Sequence, residues 1–278
     1  MGKCRYCGED AGILSSAHRQ CKETYDAAIR DLDAIAIEAI NKDSNLALLE
    51  LRIADLATKG RVPESEVQES LIRGWEEAAM RLLDDLVLSS DEEHRLLEFR
   101  DHFHLTQDDL NRRGRYFAVV QCGILRDIMN GKVPDRLSCE GQLPFNLQKS
   151  ETLVWAFPLV DYYQEKTQTS YVGGSHGLSV RVARGVYYRM GSFRGDPVET
   201  SYMLFIDKGW LGITTKHIYF AGDRRSFRVA YGKIVSVRPY SDGIRVYRDG
   251  ISAKPQAFVV GDGWFIYNLV VNLARLFD

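Results

Sequence analysis

GWLGITTKHIYFAGDRRSFRVAYGKIVSVRPYSDGIRVY, residues 209–247, decides the fold of the second half of this chain. It reads as short strands over 212–220, 226–230, 233–240 and 243–247, cut by Gly222-Asp223 and Ser241-Asp242-Gly243. The runs are rich in β-branched and aromatic residues, and Arg245-Val246-Tyr247-Arg248 alternates polar with apolar, as a strand with one buried face does. Working outward, further strands read at 153–163, 178–188, 201–206 and 257–260. Turn signals stand at Gly173-Gly174, Gly195-Asp196-Pro197, Lys208-Gly209 and Asp249-Gly250. The last stretch, 263–277, places Phe265, Leu269, Val270, Leu273 and Leu276 on one helical stripe. Seven or eight antiparallel strands and a final helix predict a small barrel plugged by that helix.

The same stretch resembles the core of a GRAM domain, of the pleckstrin-homology-like superfold. Gly209, Leu211, Thr214, Phe220, Lys233, Ile234, Val237, Asp242 and Ile244 sit where that family's pattern asks. The similarity covers 201–278 well and 143–200 less well. It implies a binding module for protein or membrane lipid, without catalytic residues. The chain departs from a lipid reader in spreading its basic residues: Arg181, Arg184, Arg189 and Arg194 on one side, Arg224, Arg225 and Arg228 on the other. The latter three form the best local patch for an anionic headgroup. They serve equally as charges that deter pairing at a sheet edge.

Before the strands, apolar spacing over 21–132 is 3.6-periodic. Helices are expected over 20–40 and over 45–59, the latter stopped by Gly60. A third opens after Pro63 and buries Trp75, Met80, Leu82, Leu83, Leu86 and Val87. A fourth is capped by Ser90 with Glu93 as its third helical residue, and a fifth runs from Thr106 to Asn130. His94, His102 and His104 lie close in sequence. Their spacing puts His102 and His104 on different helical faces, and His94 with Glu98 makes an ordinary surface pair. Arg112, Arg113 and Arg115 read as a solvated face.

The first twenty-odd residues hold three of the five cysteines. Cys4-Arg5-Tyr6-Cys7-Gly8 is a tight turn whose two thiolates reach one tetrahedral ion, with Gly8 leaving the turn at positive φ. His18 and Cys21 share one side of the first turn of the following helix. Knuckle, hairpin and helix resemble a treble-clef zinc finger, with Cys4, Cys7, His18 and Cys21 as the ligands of a structural Zn2+. A Cys₃His set is closed and keeps no catalytic position. Around it Lys3, Arg5, Arg19 and Lys22 are offset by Glu9, Asp10, Glu23 and Asp26, which argues against phosphate binding.

The organisation expected is therefore α+β: a treble-clef-like finger over 1–24, an all-helical block over 25–137, and a GRAM/PH-like antiparallel β-barrel closed by its C-terminal helix over 138–278. Residues 1–142 carry 19 basic and 27 acidic side chains, a net of −8, and 143–278 carry 17 and 11, a net of +6. Such asymmetry points to two modules with different partners. No signal-peptide pattern, myristoylation pattern or run of about 18 apolar residues is present, which predicts a cytoplasmic chain with free thiols at Cys122 and Cys139. The Gly-rich segment 171–177, with Ser175 and His176, precedes a strand and lacks a partner acid, so it reads as a hairpin loop. No catalytic constellation is found. The function expected is a non-enzymatic multi-domain binding or adaptor protein, its barrel taking a protein or anionic membrane lipid. The alternative is a nucleic-acid-binding regulatory or defence protein acting through the finger.

Overall fold

A computed structural model describes residues 2–12, 15–42, 44–84, 88–134, 136–137, 143–172, 175–183, 186–193 and 196–277, with side chains throughout except over 169–199. The chain divides into two compact units, Met1–Arg136 and Leu137–Asp278. No helix among the described residues is long and apolar enough to cross a membrane.

The first unit holds helices α1 (Arg19–Asn41), α2 (Leu46–Gly60), α3 (Glu64–Leu82), α4 (Ser90–His102), α5 (Gln107–Leu110) and α6 (Arg115–Met129). Their apolar stripes meet in one core around Leu32, Trp75, Leu96, Phe99, Leu110 and Val119. Trp75 is fully buried, and its indole N–H donates to the Leu96 carbonyl at 2.9 Å. Three local expectations shift. The cap of α4 is Ser89, whose hydroxyl accepts from the Glu92 amide while Glu92 answers the Ser89 amide. Glu93 is thereby turned inward, 6% exposed, and carries Arg126 at 2.6 Å and Arg136. The expected fifth helix is two, because Gly114 turns left-handed at φ 72° between α5 and α6. The third helix ends at Leu82, and Leu86 and Val87 lie outside the described residues.

Gly60 also has a different job from the one expected. It is the last helical residue of α2, buried, and a Cβ there would stand 2.3 Å from the Ala28 Cβ on α1. The left-handed residue that ends the helix is Arg61, at φ 54°. Glycine is thus needed at 60 for helix approach, and the turn falls on the next residue.

The second unit is a curled antiparallel sheet of seven strands in the order β6-β5-β4-β1-β9-β8-β7. These are β1 (Leu153–Val172), β4 (Asp196–Thr214), β5 (His217–Gly222), β6 (Ser226–Ala230), β7 (Ile234–Pro239), β8 (Gly243–Arg248) and β9 (Gln256–Val259). β2 (Ser175–Ala183) and β3 (Val186–Phe193) form a separate two-stranded sheet inserted between β1 and β4. A single 3₁₀ turn, Tyr231–Lys233, carries the chain from one sheet edge to the other. Only a strongly curled sheet lets three residues span its two edges. β6 and β7 do not pair, so the expected closed barrel is instead an open half-barrel. Helix α7 (Gly263–Phe277) packs Phe265, Ile266, Leu269, Val270 and Leu273 into it, with Phe265 edge-on to Trp155 at 5.1 Å.

The strands differ from expectation where side chains override turn chemistry. Lys208-Gly209 is no turn: β4 runs through it. A Cβ at Gly209 would lie 2.2 Å from the Ala221 carbonyl oxygen, so glycine there serves close cross-strand approach. The expected strand over 212–220 is broken at Thr215-Lys216, where Thr214 Oγ1 accepts from the His217 amide and closes the turn. The expected strand over 178–188 spans the β2–β3 hairpin. In the Gly-rich segment, Tyr171-Val172 end β1 and Ser175 opens β2, while Gly173-Gly174 lie outside the described residues.

Leu159 stands at a bulge of β1 with φ 57° and is 73% exposed. A branched side chain in left-handed backbone is strained, and asparagine tolerates it better. Leu159→Asn is expected to stabilise the second unit by about 0.5–1 kcal/mol. A urea titration showing a loss instead would assign Leu159 a contact role.

Candidate metal centre

The centre is built by three local structures. Residues 2–4 lie antiparallel to 9–12: Lys3 bridges Asp10, and the Cys4 amide donates to the Glu9 carbonyl at 2.7 Å. The Gly8 amide donates back to the Cys4 carbonyl at 2.8 Å, and Gly8 leaves the knuckle at φ 77°. This fixes Cys4, 2% exposed, and Cys7 on one side of a tight turn. Helix α1 supplies the other pair, His18 as its extended N-cap and Cys21 in its first turn. The Arg5 amide donates to the Ser16 carbonyl at 3.0 Å and the His18 amide to Cys4 Sγ at 3.4 Å, which tie knuckle to helix.

The four donor atoms of Cys4, Cys7, His18 and Cys21 lie within 4.8 Å of one another. Cys7 Sγ is 3.3 Å, and Cys21 Sγ 3.8 Å, from His18 Nδ1. A tetrahedral ion with metal–sulfur bonds of about 2.3 Å and a metal–nitrogen bond of about 2.0 Å requires sulfur–nitrogen edges of about 3.5 Å. The set therefore fits a metal ion. His18 Nε2 stands 3.0 Å from the Asp10 carbonyl, so that nitrogen carries the proton and Nδ1 turns its lone pair inward.

The charges agree with that use. Burial pushes the Cys4 thiol up, but hydrogen bonds from the backbone of Cys7, His18 and Tyr6 outweigh it and bring it to about 6. The Asp10 carbonyl, then Cys4, raise His18. Burial, then Cys7, raise Cys21. Three sulfurs this close resist common ionisation until a cation joins them. The centre also docks on the helices: Tyr6 packs against Tyr25 of α1 at 4.7 Å, and Arg61 Nη1 donates to Cys21 Sγ at 3.7 Å.

The other sequence candidates are placed apart. Arg224 and Arg225 occupy the exposed turn between β5 and β6, and Arg228 lies on β6 opposite Tyr219 of β5. Asp207, unmarked in the sequence, holds that turn: its Oδ2 accepts the Arg224 and Arg225 amides, each at 2.8 Å. Arg184 and Arg194, and the side chains of Arg181 and Arg189, lie outside the described residues, as does Cys139. Cys122 is a buried thiol of α6. His94 stands 4.0 Å from Glu98 and His102 3.3 Å from Glu50, and among the described residues the Cys₃His set is the single gathering of potential ligands. A second polar cluster escaped the sequence reading: Glu151, His217, Tyr219 and Thr214, joined at 2.5–2.9 Å.

The molecule thus combines a helical unit bearing a Cys₃His cluster with an open, curled antiparallel sheet packed by a helix. Neither a protein-family model, nor a curated protein, nor a solved structure matches this chain.

Proposed function

We propose that this chain is a non-enzymatic binding or adaptor protein. Zinc bound by Cys4, Cys7, His18 and Cys21 stabilises a finger over 1–24, which caps a helical block over 25–137. A pleckstrin-homology-like module over 138–278 takes the partner. The observation that carries this reading is the strand order β6-β5-β4-β1-β9-β8-β7 with α7 packed into the curl. Once the inserted β2–β3 hairpin is set aside, a four-strand meander and a three-strand meander meet at β1, as in that superfold. Thiolate and imidazole donors select zinc over the hard cations, and four of them leave no open position for a substrate.

A protein partner is favoured over nucleic acid. Arg19 is held by Glu23 at 2.8 Å, and Arg5 lies over the Tyr6 ring at 4.7 Å, so two of the four basic residues beside the finger are engaged. Anionic lipid remains the second ligand class for the module, through Arg224, Arg225 and Arg228. Flotation with phosphatidylserine vesicles at moderate salt separates the two. A protein binder stays at the bottom of the gradient. A lipid binder floats, and Arg224→Ala/Arg225→Ala lowers its floated fraction at least about 3-fold, since each basic residue near an anionic surface contributes about 1 kcal/mol. Substrate turnover by the pure protein, or a mobility shift with DNA at moderate salt, would overturn the adaptor reading.

A further inference from the structure

We propose that Arg61 is a positioning residue of the metal centre: its guanidinium balances the charge at Cys21 and couples metal loading to the end of α2. The inference rests on the metal-site reading above and extends it to a residue 40 positions from its nearest ligand.

The placement follows from one helix face. Cys21, Tyr25 and Ala28 are spaced by four and three residues, so they line one side of α1. Gly60 closes α2 against Ala28, with no room for a side chain. The next residue turns left-handed at φ 54° and ψ 41°, its amide still bonded to the Ala57 and Thr58 carbonyls. From that turn the Arg61 side chain reaches Cys21 Sγ at 3.7 Å. Glycine is the residue this backbone favours. An arginine there accepts strain for what its side chain does.

The charge explains what it does. Three thiolates and a neutral imidazole around a divalent ion leave the centre at net −1. Cys4 and His18 have backbone support: the His18 amide donates to Cys4 Sγ at 3.4 Å, and the Asp10 carbonyl fixes His18. Cys21 takes its donor from Arg61. Among the described residues no other positively charged side chain donates to these sulfurs. Outer partners of metal ligands are worth about 10–100-fold in metal affinity. Because this partner is the left-handed residue that caps α2, metal loading also fastens the end of α2 to α1.

Cobalt(II) and zinc(II) on the full chain provide the test. The wild type is expected to give tetrahedral cobalt bands with sulfur charge transfer. Arg61→Gln should lose zinc to a chelator about 10-fold faster and shift the charge-transfer band, and Arg61→Lys should restore most of both. Arg61→Gly separates this role from a purely structural one. It relieves the left-handed strain, so the apo protein becomes more stable while zinc is held more weakly. Wild-type affinity, release rate and spectrum in Arg61→Gln would overturn the proposal. Parallel gains in apo stability and zinc retention in Arg61→Gly would overturn it too. A wild type that takes up no cobalt would defeat the metal-site reading itself, and the proposal with it.

Discussion

One zinc per chain is expected in the purified protein, and none in a Cys4→Ser/Cys7→Ser variant. Loss of the metal should lower the melting transition of the first unit by about 14 °C. That figure follows from a ligand held at about a thousand times its dissociation constant, which contributes about 4 kcal/mol, and from the melting entropy of a unit this size. The effect is partial unfolding, not collapse, because the helices own a separate core built on Trp75, Leu96 and Phe99. The knuckle has no such core: among its described residues, Cys4 is the one buried apolar side chain. Residues 2–18 should therefore lose amide-exchange protection entirely on chelation, while α3 and α4 keep theirs. Calorimetry with and without chelator, read against metal content by mass spectrometry, measures both. Metal-free protein with an unchanged first transition would leave the cysteines as a reactive pair and move a redox role forward.

The Cys₃His cluster could be read from sequence because each pair is local. Two residues between Cys4 and Cys7, and two between His18 and Cys21, fix donor geometry through one turn of backbone. The helix that carries Cys21 was legible to within a residue at either end for the same reason: its apolar period is local. What escaped was set by partners far along the chain. Gly60 looks like a helix stop, yet Ala28 on another helix decides its use. Lys208-Gly209 looks like a turn, yet Ala221 across the sheet requires that glycine and Asp207 braces a different turn. Glu93 looks like half of a capping box, yet Arg126 and Arg136 draw it inward. The barrel failed to close for a related reason. Strand count is a sum of local signals, but closure needs β6 and β7 to share a ladder, and no local signal encodes that.

Glu151→Gln should cost the second unit about 2–4 kcal/mol at neutral pH, by leaving donors of a buried cluster facing a donor. The Glu151 side chain has no solvent exposure. Its Oε1 accepts from His217 Nδ1 at 2.5 Å and from Thr214 Oγ1 at 2.9 Å. Its Oε2 accepts from the Tyr219 hydroxyl at 2.6 Å and the Gln148 amide at 2.9 Å. An amide in its place keeps the shape but presents one oxygen and two N–H groups to four donors. Around the cluster, Thr152 and Thr215 exchange hydrogen bonds, and the Phe145 ring fills the space over Gly212. Glu151 thus pins the segment before β1 onto the β4–β5 hairpin, and the sheet loses that anchor with it. The acid response gives a second signature. Burial raises the carboxyl, but the bonds from Tyr219, Gln148, His217 and Thr214 prevail and hold it at about 2, against 4.5 for an unconstrained carboxyl. A depressed folded value means that the ionised form stabilises the fold. The contribution is complete above about pH 4.5 and fades as pH falls toward 2. Over that window the wild type should give up about 3 kcal/mol that Glu151→Gln never had, so the two stability curves converge in acid. Parallel curves, or a variant within about 0.5 kcal/mol of wild type at neutral pH, would show that Glu151 is not the anchor of this sheet.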